Sequence, residues 1–348
     1  MLACALASPA AAGQGGVMAS RPLDPRPIVI AHRGASGERP EHTLSAYRRA
    51  IEGGADFIEP DLVPTRDGVL VCRHENNIAE TTDVARHPEF ARRRTTKVID
   101  GVATTGWFTE DFTLAELRTL RAVERLPQLR PGNTAHDGRD PVPTLAEVIA
   151  LAKQASARTG RTIGIYPETK HPGYFAGIGL PLEARLVAAL HAADWDAADA
   201  PVFIQSFEVA NLRALAGMTR LRLIQLLDAA GGPADRAAAS YAAMATPQGL
   251  AEVARYAWGI GPNKAMVAGR PALVADAHAA GLRVHPWTYR AENRFLPPDL
   301  QGEGGPAAHG RIEAEIAGAL DAGVDGFFTD FPVIGVRVRD AHASKPRN

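Results

Sequence analysis

Two histidines and three carboxylates, placed where apolar runs end, are the residues of this chain best suited to chemistry. His32 and Arg33 follow the run Ile28-Val29-Ile30-Ala31, Glu59 and Asp61 close the next, and His74 follows a third ending at Cys72. Glu168 and Lys170 come after another such run, 162–166. Histidine exchanges protons near neutral pH, so a pair can serve as general acid and general base. Glu59 and Asp61 are two apart, so in extended backbone both side chains leave the same face. Two carboxylates on one face repel unless a cation, a proton or a basic residue intervenes. Glu168 offers a third oxygen ligand, and an all-oxygen set suits a hard divalent ion, Ca²⁺ ahead of Mg²⁺. The histidines lack the helical i, i+4 spacing and the cysteine partners of a zinc site. Arg33 and Lys170 supply the positive charge an anionic substrate requires; the alternative is that they pair with the neighbouring acids.

Such residues need a scaffold that collects strand ends. Apolar runs at 28–31, 55–59, 162–166, 202–205, 221–227, 257–260, 283–286 and 326–328 read as strands. Stretches with i, i+3, i+4 apolar spacing at 43–52, 145–157, 182–192, 209–215, 248–256, 271–280 and 311–322 read as helices between them. Thr144 and Pro181 are expected helix starts, Gly281 and Gly323 expected stops. This alternation predicts an α/β chain folded as a (β/α)₈ TIM barrel. An open doubly wound sheet is the alternative, but no Gly-rich dinucleotide turn follows the first strand. In a parallel barrel the chemistry sits at the carboxyl ends of the strands. His32, Glu59, Asp61, Glu168, Gln205, Gln225, Trp287 and Asp330 all fall at or near those ends, where random placement would spread them over both barrel faces. Two segments break the alternation. Residues 76–143, charged and turn-rich with Arg92-Arg93-Arg94 on an expected solvated face, read as an insertion after the second strand with a helix near 114–121. Residues 290–310, rich in Pro and Gly, read as a surface loop.

From residue 28 onward the ordered motifs resemble the glycerophosphodiester phosphodiesterases. They are His32-Arg33-Gly34, Glu41-His42-Thr43, Glu59 with Asp61, His74, Pro167-Glu168-Thr169-Lys170, Gln205-Ser206-Phe207, His285-Pro286-Trp287-Thr288 and Phe328-Thr329-Asp330-Phe331-Pro332. The resemblance implies a TIM-barrel domain over 27–340, with His32 and His74 as general acid and base and the acids as metal ligands. It implies hydrolysis of glycerophosphodiesters to glycerol 3-phosphate and an alcohol. Arg33, Lys170 and Gln205 are then expected at the substrate, with Trp287 as an apolar wall for the glycerol backbone. The family motif continues His-Asp where this chain has His74-Glu75, which leaves the role of that acid open. Thr43 reads as an N-cap and Glu41 as a buttress of the site. Asp330 is expected to order the final turn through its own backbone rather than touch substrate. One rival is a phospholipase-D-like or phosphoinositide-cleaving relative on the same barrel. That enzyme needs an apolar docking loop, and 290–310 offers only Phe295 and Leu296. A non-catalytic surface binding protein is the other rival, but it has no use for a proton-transfer pair.

Composition bounds the partners. In 348 residues, 46% hydrophobic and 22% charged content fits a globular chain with ample core. A formal net charge of −1 gives no general pull toward nucleic acid or anionic lipid, so any phosphate affinity is local. No apolar run reaches the roughly 18 residues of a membrane-spanning helix. The expected partner is a small-molecule glycerophosphodiester; the sequence leaves the oligomeric state open. The start, MLACALASPAAAGQGG, reads as the end of a secretory leader without its basic n-region. Residues 1–26 are therefore expected to be leader and linker, and the protein periplasmic or secreted. Cys4 lies in that leader behind a poor lipobox, and Cys72 reads as a small buried hydrophobe, so no disulfide framework is expected.

Overall fold

The computed structural model of the chain describes residues 26–344; Cys4 and nearly all of the expected leader lie outside them. Its strands are β1 (Ile28–His32), β2 (Phe57–Glu59), β3 (Asp61–Pro64), β4 (Leu70–Cys72), β5 (Thr95–Ile99), β6 (Val102–Gly106), β7 (Gly164–Ile165), β8 (Glu168–Thr169), β9 (Phe203–Ser206), β10 (Arg222–Leu227), β11 (Gly259–Pro262), β12 (Arg283–Val284) and β13 (Gly326–Thr329). One parallel set runs β13-β1-β2-β7 and another runs β3-β8-β9-β10-β11-β12, with β4 antiparallel on its edge. These form a single barrel wall. β2 continues into β3 across Pro60, and β7 into β8 across Tyr166 and Pro167. A proline has no N–H for the ladder, so each of these staves is split where its proline falls. The seam closes where the amides of Asp325 and Phe328 donate to the carbonyls of Val284 and Pro286, both at 3.0 Å.

The barrel interior is apolar because its staves are. Ile30, Tyr166, Phe203, Ile224 and Phe328 pack together inside it, and the Tyr166 hydroxyl bonds His285 Nδ1 at 2.8 Å. Outside, helices cover the wall. The Thr43 hydroxyl accepts from the Ala46 amide and starts the helix Leu44–Glu52. Thr144 and Glu147 form a reciprocal capping box that starts Leu145–Thr159, which Gly160 ends at φ +69°. The start expected at Pro181 falls instead at Glu183, with Leu182 as the capping residue.

Both irregular segments are more ordered than the sequence suggested. The insertion holds the β5–β6 hairpin, several 3₁₀ turns and a short helix, Leu114–Leu117, in place of the longer one expected. Phe90, Trp107, Phe112 and Leu117 anchor it in the main core. Arg93 is not merely solvated: it pairs with Glu116 and stacks 4.8 Å from the Phe112 ring centre. Residues 290–310 do not form a simple surface loop. Glu292, Asn293 and Leu296 are buried, and the Asn293 amide side chain both donates to and accepts from Gly302. Among the described residues no helix is long and apolar enough to cross a membrane.

Gly34 fixes the turn that carries His32 and Arg33 toward the first helix. Its φ is +88°, and an added Cβ would lie 2.8 Å from the Ala46 backbone. Gly34→Ala should therefore destabilise the fold by about 2 kcal/mol or more, combining left-handed strain with overpacking. Urea unfolding measures this directly; an unchanged midpoint would contradict it.

Candidate active site

Strand register assembles the site. His32 lies beside Glu59 across β1 and β2, Asp61 beside Glu168 across β3 and β8, and Glu168 beside Gln205 across β8 and β9. Carboxylate oxygens of Glu59, Asp61 and Glu168 consequently lie within 4.8 Å of one another, and all three residues are buried. The Arg33 amide donates to Glu59 Oε2 at 2.8 Å, and Gln205 Nε2 donates to Glu59 Oε1 at 3.2 Å. Lys170 Nζ donates to Glu168 Oε1 at 2.7 Å. Asp61 Oδ2 meets His42 Nε2 at 2.9 Å, while Asp61 Oδ1 is buried with no protein partner.

The electrostatics follow from that crowding. Burial raises the Glu59 carboxyl well above its usual range, and the nearby Asp61 and Glu168 add to the shift. Burial likewise pushes Glu168 up to about 8, with Asp61 adding and Lys170 opposing. Asp61 goes the other way. Burial opposes its charge, but Lys170, His74 and His42 together hold it well below the usual carboxylate range.

Each histidine leans on a carboxylate. His32 Nδ1 lies 2.6 Å from Asp330 Oδ1, and His74 Nδ1 makes a short contact with Glu75 Oε1. Both acids are ionised: the arginines Arg290 and Arg130 outweigh burial at Asp330, and His74 and Arg125 do so at Glu75. A carboxylate only accepts, so Nδ1 of each imidazole carries a proton and Nε2 is its basic nitrogen. Burial, with Arg33 nearby, lowers His32 to about 4 and His74 to about 3. Both rings are therefore neutral near pH 7. Lys170 Nζ stands 3.3 Å from His74 Nε2.

His32, His74, Arg33, Lys170, Glu59, Glu168, Gln205 and Trp287 all line one cavity of about 360 Å³ at the carboxyl ends of the strands. Asp61 sits beneath the exposed lining, fully buried. Gln225 is a structural group: its amide donates to the carbonyls of Phe207 and Leu226 and accepts from the Tyr256 hydroxyl. Asp330 corrects the expectation of a local turn bond. It braces His32 and is gripped in turn by Arg130 and Arg290. His42 was given no role by sequence reasoning, although it stands in the Glu41-His42-Thr43 motif. Its contact with Asp61 and its φ of +54° come from the loop that Gly34 permits. Arg125 and Arg130 had no sequence signal at all. Arg125 bonds Glu75 and Glu41, and Glu41 holds Arg33 at 3.0 Å.

Arg130 is the costliest of these to lose. It is buried and pairs with Asp330 and Glu292, both nearly inaccessible. Arg130→Met should cost about 3–5 kcal/mol, because Glu292 loses its buried partner and Asp330 keeps only Arg290 and His32. Adding Glu292→Gln and Asp330→Asn to it should recover part of that loss, as urea unfolding would show. No recovery would mean that packing rather than charge is at stake.

The comparisons agree with this geometry. Residues 32–334 match the Glycerophosphoryl diester phosphodiesterase family. The glycerophosphodiester phosphodiesterase GDPD6 of Arabidopsis thaliana is 38% identical over 88% of this chain and 84% of its own length. The glycerophosphodiester phosphodiesterase of Haemophilus influenzae is 28% identical over 92% of the chain and 91% of its own. The fold matches an Oleispira antarctica phosphodiesterase solved with the product sn-glycerol-3-phosphate, at TM-score 0.59 and 20% identity over 90% and 97% of the two chains. With a match across nearly the whole barrel, the chain belongs to the glycerophosphoryl diester phosphodiesterase family and is an enzyme of that hydrolase class.

Proposed function

We propose that the protein hydrolyses glycerophosphodiesters to glycerol 3-phosphate and an alcohol, with a divalent cation on Glu59, Asp61 and Glu168 and proton transfer by His32 and His74. One observation carries the reading: both imidazoles, two of the three carboxylates, Arg33 and Lys170 face a single cavity. The product held by the Oleispira antarctica phosphodiesterase supports the substrate class.

The acids fit a cation. Asp61 Oδ1 is a buried oxygen with no partner, and burial, with the neighbouring acids adding, raises Glu59 and Glu168, so that ionising them is a cost a bound cation would offset. An all-carboxylate donor set suits Ca²⁺ or Mg²⁺. Such an ion would polarise a phosphoryl oxygen and offset charge gathered at phosphorus. The rest is done by the chain. Arg33 and Lys170 orient the phosphodiester monoanion. The Nε2 of one histidine takes the proton of the attacking water or neighbouring glycerol hydroxyl as the oxygen–phosphorus bond forms, the second route giving a cyclic phosphate that water then opens. The other, neutral in the free site, must first take up a solvent proton at its own Nε2, which it then delivers to the alcohol oxygen as its bond to phosphorus breaks. Asp330 and Glu75 keep each ring in the required tautomer and stabilise it when charged.

Exhaustive EDTA treatment should abolish hydrolysis and Ca²⁺ or Mg²⁺ should restore it; full activity after chelation and desalting would sink the metal assignment. The sign with pH is fixed by Glu168. Its carboxyl is protonated below about 8 in the free site, so ion uptake must expel protons there. Ion affinity should accordingly climb from pH 6 to pH 8, with the raised Glu59 acting in the same direction. Calorimetry in buffers of different ionisation enthalpy reads the released protons directly, and pH-independent binding would contradict the assignment.

His32→Ala and His74→Ala should each lower the rate by about 10²–10⁴, and the double variant by far less than the product of the two. A p-nitrophenyl ester leaves without a proton, so it should partly rescue the variant that lost the acid and not the one that lost the base. Near-normal turnover of glycerophosphocholine by both single variants would refute the mechanism.

A further inference from the structure

The barrel mouth has two chemically distinct halves. The acids and histidines come from β1, β2, β3, β8 and the segment after β4. Across the cavity, Phe207 follows β9, Asp228 follows β10, and Trp287 with Thr288 follows β12. The cations that line the cavity are each paired: Arg33 with Glu41, Lys170 with Glu168, and Arg290, which follows β12, with Asp330. Asp228, like Glu59, has no such partner. It lines the cavity, yet among the described residues no Lys, Arg or His stands within ion-pair distance of it. Its Oδ1 is held by Asn263 Nδ2 at 2.9 Å and the Ala229 amide at 2.7 Å, which fixes the carboxylate without neutralising it.

Two aromatic rings accompany that acid. Phe207 and Trp287 meet edge to face with centroids 5.6 Å apart, and the indole is anchored by Nε1 donating to the Gly261 carbonyl at 2.7 Å. Asn263 bridges Asp228 and Trp287, bonding the first through its side chain and pairing with the second along the backbone. Thr288 lines the same cavity, and its buried hydroxyl has no hydrogen-bond partner. A fixed, unmatched carboxylate beside aromatic rings repels a phosphate and attracts an organic cation.

Resting on the phosphodiesterase reading above, we infer that Asp228, Phe207 and Trp287 form a subsite for a leaving alcohol that carries an ammonium cation. The preferred substrates are then glycerophosphodiesters of amino alcohols. Quaternary ammonium fits best, since it gains from the ring faces and the carboxylate while needing no hydrogen-bond acceptor.

The test compares glycerophosphocholine with glycerophosphoglycerol, which has a neutral leaving alcohol. Wild type should favour glycerophosphocholine in kcat/KM. Asp228→Asn keeps the shape and can keep the Asn263 contact; it should lower that preference by about tenfold, the loss of one ring-assisted charge contact. Phe207→Leu should lower it in the same direction. A second measurement needs no variant: choline should inhibit glycerophosphoglycerol hydrolysis by wild type more strongly than its neutral isostere 3,3-dimethyl-1-butanol. Equal inhibition by the two, or an unchanged preference in Asp228→Asn, overturns the subsite and leaves the hydrolase reading intact. If wild type hydrolyses neither diester, the hydrolase reading fails, and the subsite with it.

Discussion

Three carboxylates within 4.8 Å of one another in a buried site are the constraint around which the rest is arranged. Two unit charges at that distance repel by roughly 3 kcal/mol even at an effective dielectric constant of about 20. Burial removes the water that would otherwise moderate this. Positive and donor groups therefore surround the cluster. Lys170 takes Glu168, the Arg33 amide takes Glu59, and His42 takes Asp61. What those contacts leave over, a bare Asp61 oxygen and two carboxyls with raised pKa, is what a divalent cation would neutralise under the proposed function.

Compensation spreads outward as alternating charge. From Asp61 it passes to Arg33, then Glu41, Arg125, Glu75 and His74; a second series runs from His32 through Asp330 to Arg130 and Glu292. Each member satisfies the one before it, because a buried charge without a partner is costly. Both series draw an arginine from the insertion, at positions 125 and 130. That segment therefore has a second task beyond covering the barrel: it holds the two acids that set the tautomers of His32 and His74. Its apolar anchors, Phe90, Phe112 and Leu117, root those arginines in the core.

Under the proposed function the mouth also divides recognition from reaction. Most titratable groups gather on the half built from β1, β2, β3 and β8, whereas the half after β9 to β12 carries Phe207 and Trp287 with Asp228, and Arg290 held by Asp330. A phosphodiester has the same polarity, an anionic centre joined to alcohols of variable character. A barrel suits such a substrate because each stave contributes one position to the rim, so the two halves can be varied separately.

Much of this was written in local pattern. Apolar runs marked the staves, Thr43 and Thr144 marked helix starts, and the order of polar residues after those runs placed His32, Glu59, Asp61, His74, Glu168 and Lys170 at one end of a barrel. These readings rest on periodicity and on strand ends, which are properties of neighbours in sequence. Pairings between distant residues could not be read this way. Asp330 looked like a residue of its own turn, yet its partner is His32, 298 positions away; Arg130 reaches it across 200. Gln225 shared the strand-end signature of Gln205 but turns to backbone carbonyls. Asp228 was indistinguishable from a solvated loop acid until the cavity showed that it lacks a counter-charge. Sequence determined which residues stand on the rim, because alternation and chain direction are local. Tertiary structure alone decided which charges meet, because that depends on how the barrel closes and how the insertion folds back over it.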